Sequence, residues 1–284
     1  MNDSAMKPLG KEQFWQIIDN AREAAGSWQG VIEPLVEALS QFEEPDIVRF
    51  KQINDEYQRL AYKEKLWAAA YVLNNGCSDD GFIDFRAWLI AQGKEVYMNA
   101  LADPDSLADL GTVRDLSAEV KLNEYTPPNG YFYAAGFESF TYAANDAYKN
   151  KLGGDADIYD VIDTPLLSER EKADIAGEII YVADIDVKWG GIDTPHAQID
   201  ANLNKILPSL AELFHMYVFR HRRYPSEVNE EAIPTIVSPL PTVEKKSVLE
   251  QIKQDRQSKK ATDKQPQEKS KNKSKKTKKS GPEL

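Results

Sequence analysis

Three aspartates and an arginine crowd the stretch Ser78-Asp79-Asp80-Gly81-Phe82-Ile83-Asp84-Phe85-Arg86-Ala87-Trp88. On a helix Asp80, Asp84 and Trp88 stand four residues apart and share one face. Carboxylates so placed offer oxygen ligands to a hard divalent cation, or divide acid and base roles when their pKa values separate. Arg86 would then hold an anionic group. A calcium loop is excluded, because its alternating aspartates, central glycine and distal glutamate are missing. The same residues also have a plainer reading. Ser78, Asp79 and Asp80 suit the unpaired N–H groups and dipole of a helix N-terminus, Arg86 pairs with a nearby acid, and Trp88 fills core. Asp79, Asp80, Asp84, Arg86 and Trp88 form the candidate binding surface; no catalytic residue is assigned, and neither a metal nor a cofactor is expected.

Other chemistries leave weaker traces. Cys77 is the single cysteine, which excludes an intrachain disulfide framework and cysteine-based zinc fingers. A thiol ahead of a helix N-terminus can be activated, but it needs a histidine base, and the three histidines (His196, His215 and His221) are far away in sequence. The expectation is a structural cysteine packed as a small hydrophobe. His215 and His221 lie off the spacing of paired helical zinc ligands. With Arg220, Arg222 and Arg223 they read as a basic helix end. The chain contains no Gly-x-Gly-x-x-Gly, no phosphate-loop Gly-Lys-Ser/Thr and no Gly-x-Ser-x-Gly, which argues against the usual nucleotide and serine-hydrolase chemistries.

The elements that must position these residues are helices. Phe14, Ile17, Ile18 and Ala21 predict a helix over 11–25, ended by Gly26. Ile32, Leu35, Val36 and Leu39 predict a second, with Pro34 near its start. Ile47 to Leu60 predict a third, beginning after Glu44-Pro45-Asp46, and Leu66 to Leu73 a fourth, stopped by Asn74-Asn75-Gly76. Tyr62 to Lys65 fit a turn or continuous helix equally. The aspartate-rich helix follows, with Phe82, Phe85, Trp88 and Leu89 as its apolar stripe and Gly93 beyond its end. A helix over about 94–102, a turn capped at Asp103-Pro104-Asp105-Ser106, a loop or hairpin arm at 123–136 and a helix over about 137–151 come next. Ile179-Ile180-Tyr181-Val182 reads as strand or buried helix, and the last helix spans about 197–217 with a kink at Pro208. The fold class is mainly α: one compact multi-helix domain over 8–224, with 155–190 a candidate insertion, then a Pro-rich linker and Lys-rich disordered tail over 225–284.

Charge divides the same way. Residues 244–284 carry 14 Lys and Arg against 6 Asp and Glu, which leaves 21 against 40 on residues 1–243. An acidic body of that kind suits a protein partner. The lysine tail, without interleaved aromatics, suits at most weak, non-specific contact with nucleic acid or an anionic surface. No apolar signal core or membrane-length apolar run is present, so a cytoplasmic location is expected.

Several motifs together resemble a bacterial family catalogued as domain of unknown function 4240. They are Phe14-Trp15-x-Ile17-Ile18-Asp19, Trp67-x-Ala69-Ala70-Tyr71, Gly76-Cys77-Ser78-Asp79-Asp80-Gly81-Phe82, Phe85-Arg86-x-Trp88-Leu89-Ile90 with Gly93, Ala102-Asp103-Pro104-Asp105-Ser106-Leu107, and Tyr142-Ala143-x-x-x-Ala147-Tyr148. The resemblance covers residues 11–152, weakens at Ile206-Leu207-Pro208-x-Leu210, and leaves 155–190 and the tail as additions. It implies a helical bacterial domain and no activity. The functional expectation is a protein-interaction or regulatory module with an acidic helical body. The alternatives are a metal-assisted or acid/base enzyme centred on Asp79, Asp80 and Asp84, and a nucleic-acid-associated factor using the tail.

Overall fold

Periodicity and punctuation together set where most helices begin and end. In the computed structural model, which describes residues 8–122, 135–163, 166–191 and 193–214, α1 spans Lys11–Ala25 and stops at Gly26, whose φ of 67° only glycine adopts without strain. α2 is Ile32–Ser40, with Leu35 and Leu39 buried. α3 is Glu44–Leu60. It begins earlier than expected, because Pro45 sits in its first turn, where a missing N–H is harmless. The ambiguity at 62–65 resolves as a break: Tyr62 and Lys63 leave the helix and α4 starts afresh at Glu64, running to Leu73. α5 is Asp79–Ala91 and α6 is Lys94–Ala102. Gly93 joins them at φ 92°. That backbone demands glycine; a Cβ there would lie 2.4 Å from Arg22 Nη1, the end of a flexible side chain that can move aside.

After a 3-10 helix at Pro104–Asp109, capped by the Asp103 carboxylate, α7 runs Gly111–Leu122 and α8 Glu138–Leu152. A single 3-10 turn at Ile158–Asp160 precedes α9, Glu169–Ala176, which opens with a capping box between Ser168 and Glu171. Two expectations are corrected here. The run 179–182 is neither strand nor helix, and Ile180 is 76% exposed. Pro208 breaks the last helix rather than kinking it, giving α10 at His196–Ile206 and α11 at Pro208–Phe214. The new N-terminus is stabilised from afar, because both Asp105 oxygens accept from the Ser209 and Leu210 amides at 2.9 Å. The segment 123–134, His215, the basic cluster at 220–223 and the lysine tail lie outside the described residues.

The architecture is helical, with no strand among the described residues. α2 lies along α8, which also packs on α3 and α5, while α4 and α11 close against the 3-10 helix after α6. Stacked and edge-on rings fill the centre: Phe14, Trp15, Phe50, Tyr57 and Tyr97 form one cluster, and Trp67, Phe82, Phe85, Trp88 and Trp28 another. No helix among the described residues is long and apolar enough to cross a membrane.

Candidate functional site

The aspartate-rich segment begins where α5 does. Ser78 Oγ accepts from the Gly81 amide at 3.2 Å, satisfying one of the unpaired first-turn donors, and Asp79 and Asp80 stand exposed in that turn. Tyr62, at the break between α3 and α4, donates its hydroxyl to Asp79 Oδ1 at 3.2 Å. Farther along α5, Ile83 is exposed and Asp84 half-buried. α8 arrives alongside: the Phe137 amide donates to the Asp84 carbonyl at 3.0 Å, and Tyr142 donates to Glu138 on the same face. Partial burial raises the Asp84 carboxyl above its usual range, and the neighbouring charges of Glu138 and Asp80 add to the effect. Elsewhere Asp55, Glu56, Asp184 and Asp186 each hold a lysine or arginine. Among the described residues none of Asp79, Asp80, Asp84 and Glu138 does. The result is an acidic face studded with three exposed apolar side chains, Tyr62, Ile83 and Tyr142.

That arrangement has a stability consequence with a definite sign. Because the folded carboxyl of Asp84 is raised, the unfolded chain loses this proton first as pH rises. Stability is therefore lost through the window above 3.8 and stays lost at neutral pH. Asp84→Asn is expected to raise the melting temperature at pH 7, and the gain should vanish below pH 3.8. A lower melting temperature for the variant at pH 7 would contradict this account.

The remaining members of the predicted set turn inward. The stripe that begins in solvent at Asp80 passes through half-buried Asp84 and ends in the core at Trp88. Arg86 is buried as well, and the expected acid partner is not what it meets. Its Nη1 donates to the Gln58 carbonyl at 2.6 Å and its Nε to the Phe82 carbonyl at 3.1 Å, with the guanidinium against the faces of the adjoining Tyr62 and Phe82 rings. Gln58 lies in the last turn of α3, where carbonyls lack partners within the helix and the dipole is negative. Tyr97 from α6 donates to the Tyr57 carbonyl at 2.7 Å and Tyr181 to that of Leu60 at 3.1 Å, so three side chains close the end of α3. Arg86 thus finds its counter-charge in a helix terminus.

Cys77 is half-buried, with Sγ 3.5 Å from the Ser78 carbonyl. Burial, with the nearby Asp84 charge, pushes the thiol up to about 12, so it stays protonated at neutral pH. Alkylation by iodoacetamide at pH 7.5 is expected to be at least ~10-fold slower than for an unstructured cysteine; a rate equal to or above that of the free thiol would overturn this. His196 begins α10. Among the described residues no three His, Cys, Asp or Glu side chains are grouped so as to hold a metal ion.

A family model described as protein of unknown function (DUF4240) matches residues 9–150, that is, α1 to near the end of α8, and leaves α9 to α11 outside. No curated protein and no solved structure matches the chain.

Proposed function

The chain belongs to the DUF4240 family, whose description carries no activity, and from that premise we propose that it is a protein-interaction module whose α5–α8 face docks a cationic, amphipathic segment of a partner protein. One observation carries this reading: among the described residues Asp79, Asp80, Asp84 and Glu138 hold no cation, and they lie with the exposed side chains of Tyr62, Ile83 and Tyr142. Like charges held together at a cost to the fold are repaid when a cation arrives, and the apolar side chains give a partner helix something to bury. The acidic balance of residues 1–243 steers such a segment from a distance.

A labelled amphipathic Lys/Leu peptide titrated with the full-length chain tests it by fluorescence anisotropy. Asp79→Asn/Asp80→Asn/Asp84→Asn is expected to weaken binding by about 10-fold or more, and added salt to weaken it for the wild type. Equal affinity for wild type and variant would sink the proposal. A rise in wild-type melting temperature with Mg²⁺, Mn²⁺ or Ca²⁺ that the variant loses would replace it with a cation site and an enzymatic reading.

A further inference from the structure

The segment that follows α8 lies outside the family match and carries the opposite charge pattern to the surface it covers. From α9 onward it presents Glu171, Asp174, Glu178, Asp184 and Asp186, and each meets a base on the matched part of the chain. Asp174 Oδ2 pairs with Lys11 at 2.9 Å, Glu171 with Arg49, Glu178 Oε2 with Lys94 at 2.6 Å, Asp184 Oδ1 with Lys65 at 2.7 Å, and Asp186 Oδ2 with Lys63 at 2.9 Å. Glu178 also accepts the Tyr57 hydroxyl. Lys188 with Glu64 is the one pair of reversed polarity among the described residues. In an acidic body, α1, α3, α4, α6 and the break between α3 and α4 thus supply the five bases that this segment meets.

Residues 179–191 have no helix or strand, and two main-chain hydrogen bonds join this strap to the body among the described residues, Val182 N to Leu101 O at 3.2 Å and Lys65 N to Ile185 O at 2.8 Å. Asp174, Asp184 and Asp186 keep 67%, 56% and 60% of their side chains in water, whereas Glu178 and the bases Lys11, Lys63 and Lys65 are largely covered. Ile175, Ile185 and Trp189 supply the apolar anchors, the last against Tyr71. A short helix followed by turns, with acids at intervals that each meet a base on the family-matched part of the chain, describes a segment laid onto a complementary charged surface.

We propose that residues 169–189 are a displaceable in-cis ligand of a cationic docking furrow formed by Lys11, Arg49, Tyr57, Lys63, Lys65 and Lys94, and that this furrow receives an acidic segment of a partner protein when the strap leaves. The furrow shares no residue with the α5–α8 face, although Lys63 adjoins Tyr62, and its test uses a different peptide and different variants from the docking function proposed for that face.

Hydrogen exchange on the full-length chain tests it, together with binding of a labelled peptide of residues 169–189. The Val182 and Lys65 amides are expected to exchange through an opening that leaves α5 protected, and Glu178→Gln/Asp184→Asn/Asp186→Asn to speed their exchange at least 10-fold without changing α5. The variant should bind the labelled peptide at least 10-fold more tightly than the wild type, whose furrow is filled, and more tightly than a scrambled peptide of the same composition. Three results would overturn the proposal: strap amides that exchange only with global unfolding, a variant that fails to fold, or a folded variant that prefers neither the peptide nor its sequence order.

Discussion

Arg86→Leu is expected to destabilise the fold by about 2–4 kcal/mol, lowering the melting temperature by roughly 4–16 °C for a domain of this size. The magnitude follows from what the side chain leaves behind. Leucine keeps some of the packing against the Tyr62 and Phe82 rings but donates nothing, so the Gln58 carbonyl loses its charged donor at the buried end of α3. An acceptor stranded out of water costs about 1–3 kcal/mol, and the lost cation at a helix C-terminus adds about 0.3–2. Arg86→Lys separates the two contributions. It retains the charge but not the fork that reaches Gln58 and Phe82 at once, and its loss should fall between wild type and Arg86→Leu. If Arg86 instead served a ligand, both variants would melt near the wild-type temperature and lose binding alone.

Trp88→Ala is expected to cost more, about 3–5 kcal/mol or roughly 6–20 °C, because the indole is 2% exposed and packs on Phe85 at 5.5 Å and Trp28 at 6.5 Å. Removing it opens a cavity between α5 and the segment before α2 that backbone relaxation only partly closes. Eight residues earlier on the same stripe, Asp80→Asn should cost no more than about 1 kcal/mol, the scale of a charge at a helix N-terminus. Thermal melts of the two variants side by side check the gradient from solvent to core along α5. A Trp88→Ala chain within about 0.5 kcal/mol of wild type would place the indole at the surface.

Much of this architecture was legible because glycine, proline and asparagine mark where helices stop. Gly26, Gly93 and Gly153 end α1, α5 and α8 where the sequence reading places them, and the Ser78 cap is found as expected. α7 carries an i, i+3, i+7 pattern at Val113, Leu116 and Val120, a weak signal beside a long turn-rich stretch. α9 carries a Ser-x-x-Glu capping signature at Ser168 and Glu171 that could have been read and was not. Periodicity had no means of deciding 179–182: its conformation is set by tertiary contacts, the Tyr181 hydroxyl on Leu60 and the Val182 amide on Leu101.

The acidic face shows the same division. Asp79, Asp80 and Asp84 are visible as a local spacing, whereas Glu138 and Tyr142 reach them from a helix more than 50 residues on, and Tyr62 from one ahead. Arg86 defeats pairwise charge reasoning because its counterpart is a helix terminus, which no single residue type announces.

The central claim is that the α5–α8 face takes a cationic partner, and a methyl-labelled full-length chain titrated with the Lys/Leu peptide tests it most directly. Ile83, 43% exposed between Asp80 and Asp84, is expected to show a saturable shift, while Ile180, 76% exposed on the strap, stays in place. A shift at Ile180 with Ile83 unmoved, or shifts that simply follow exposure, would contradict it.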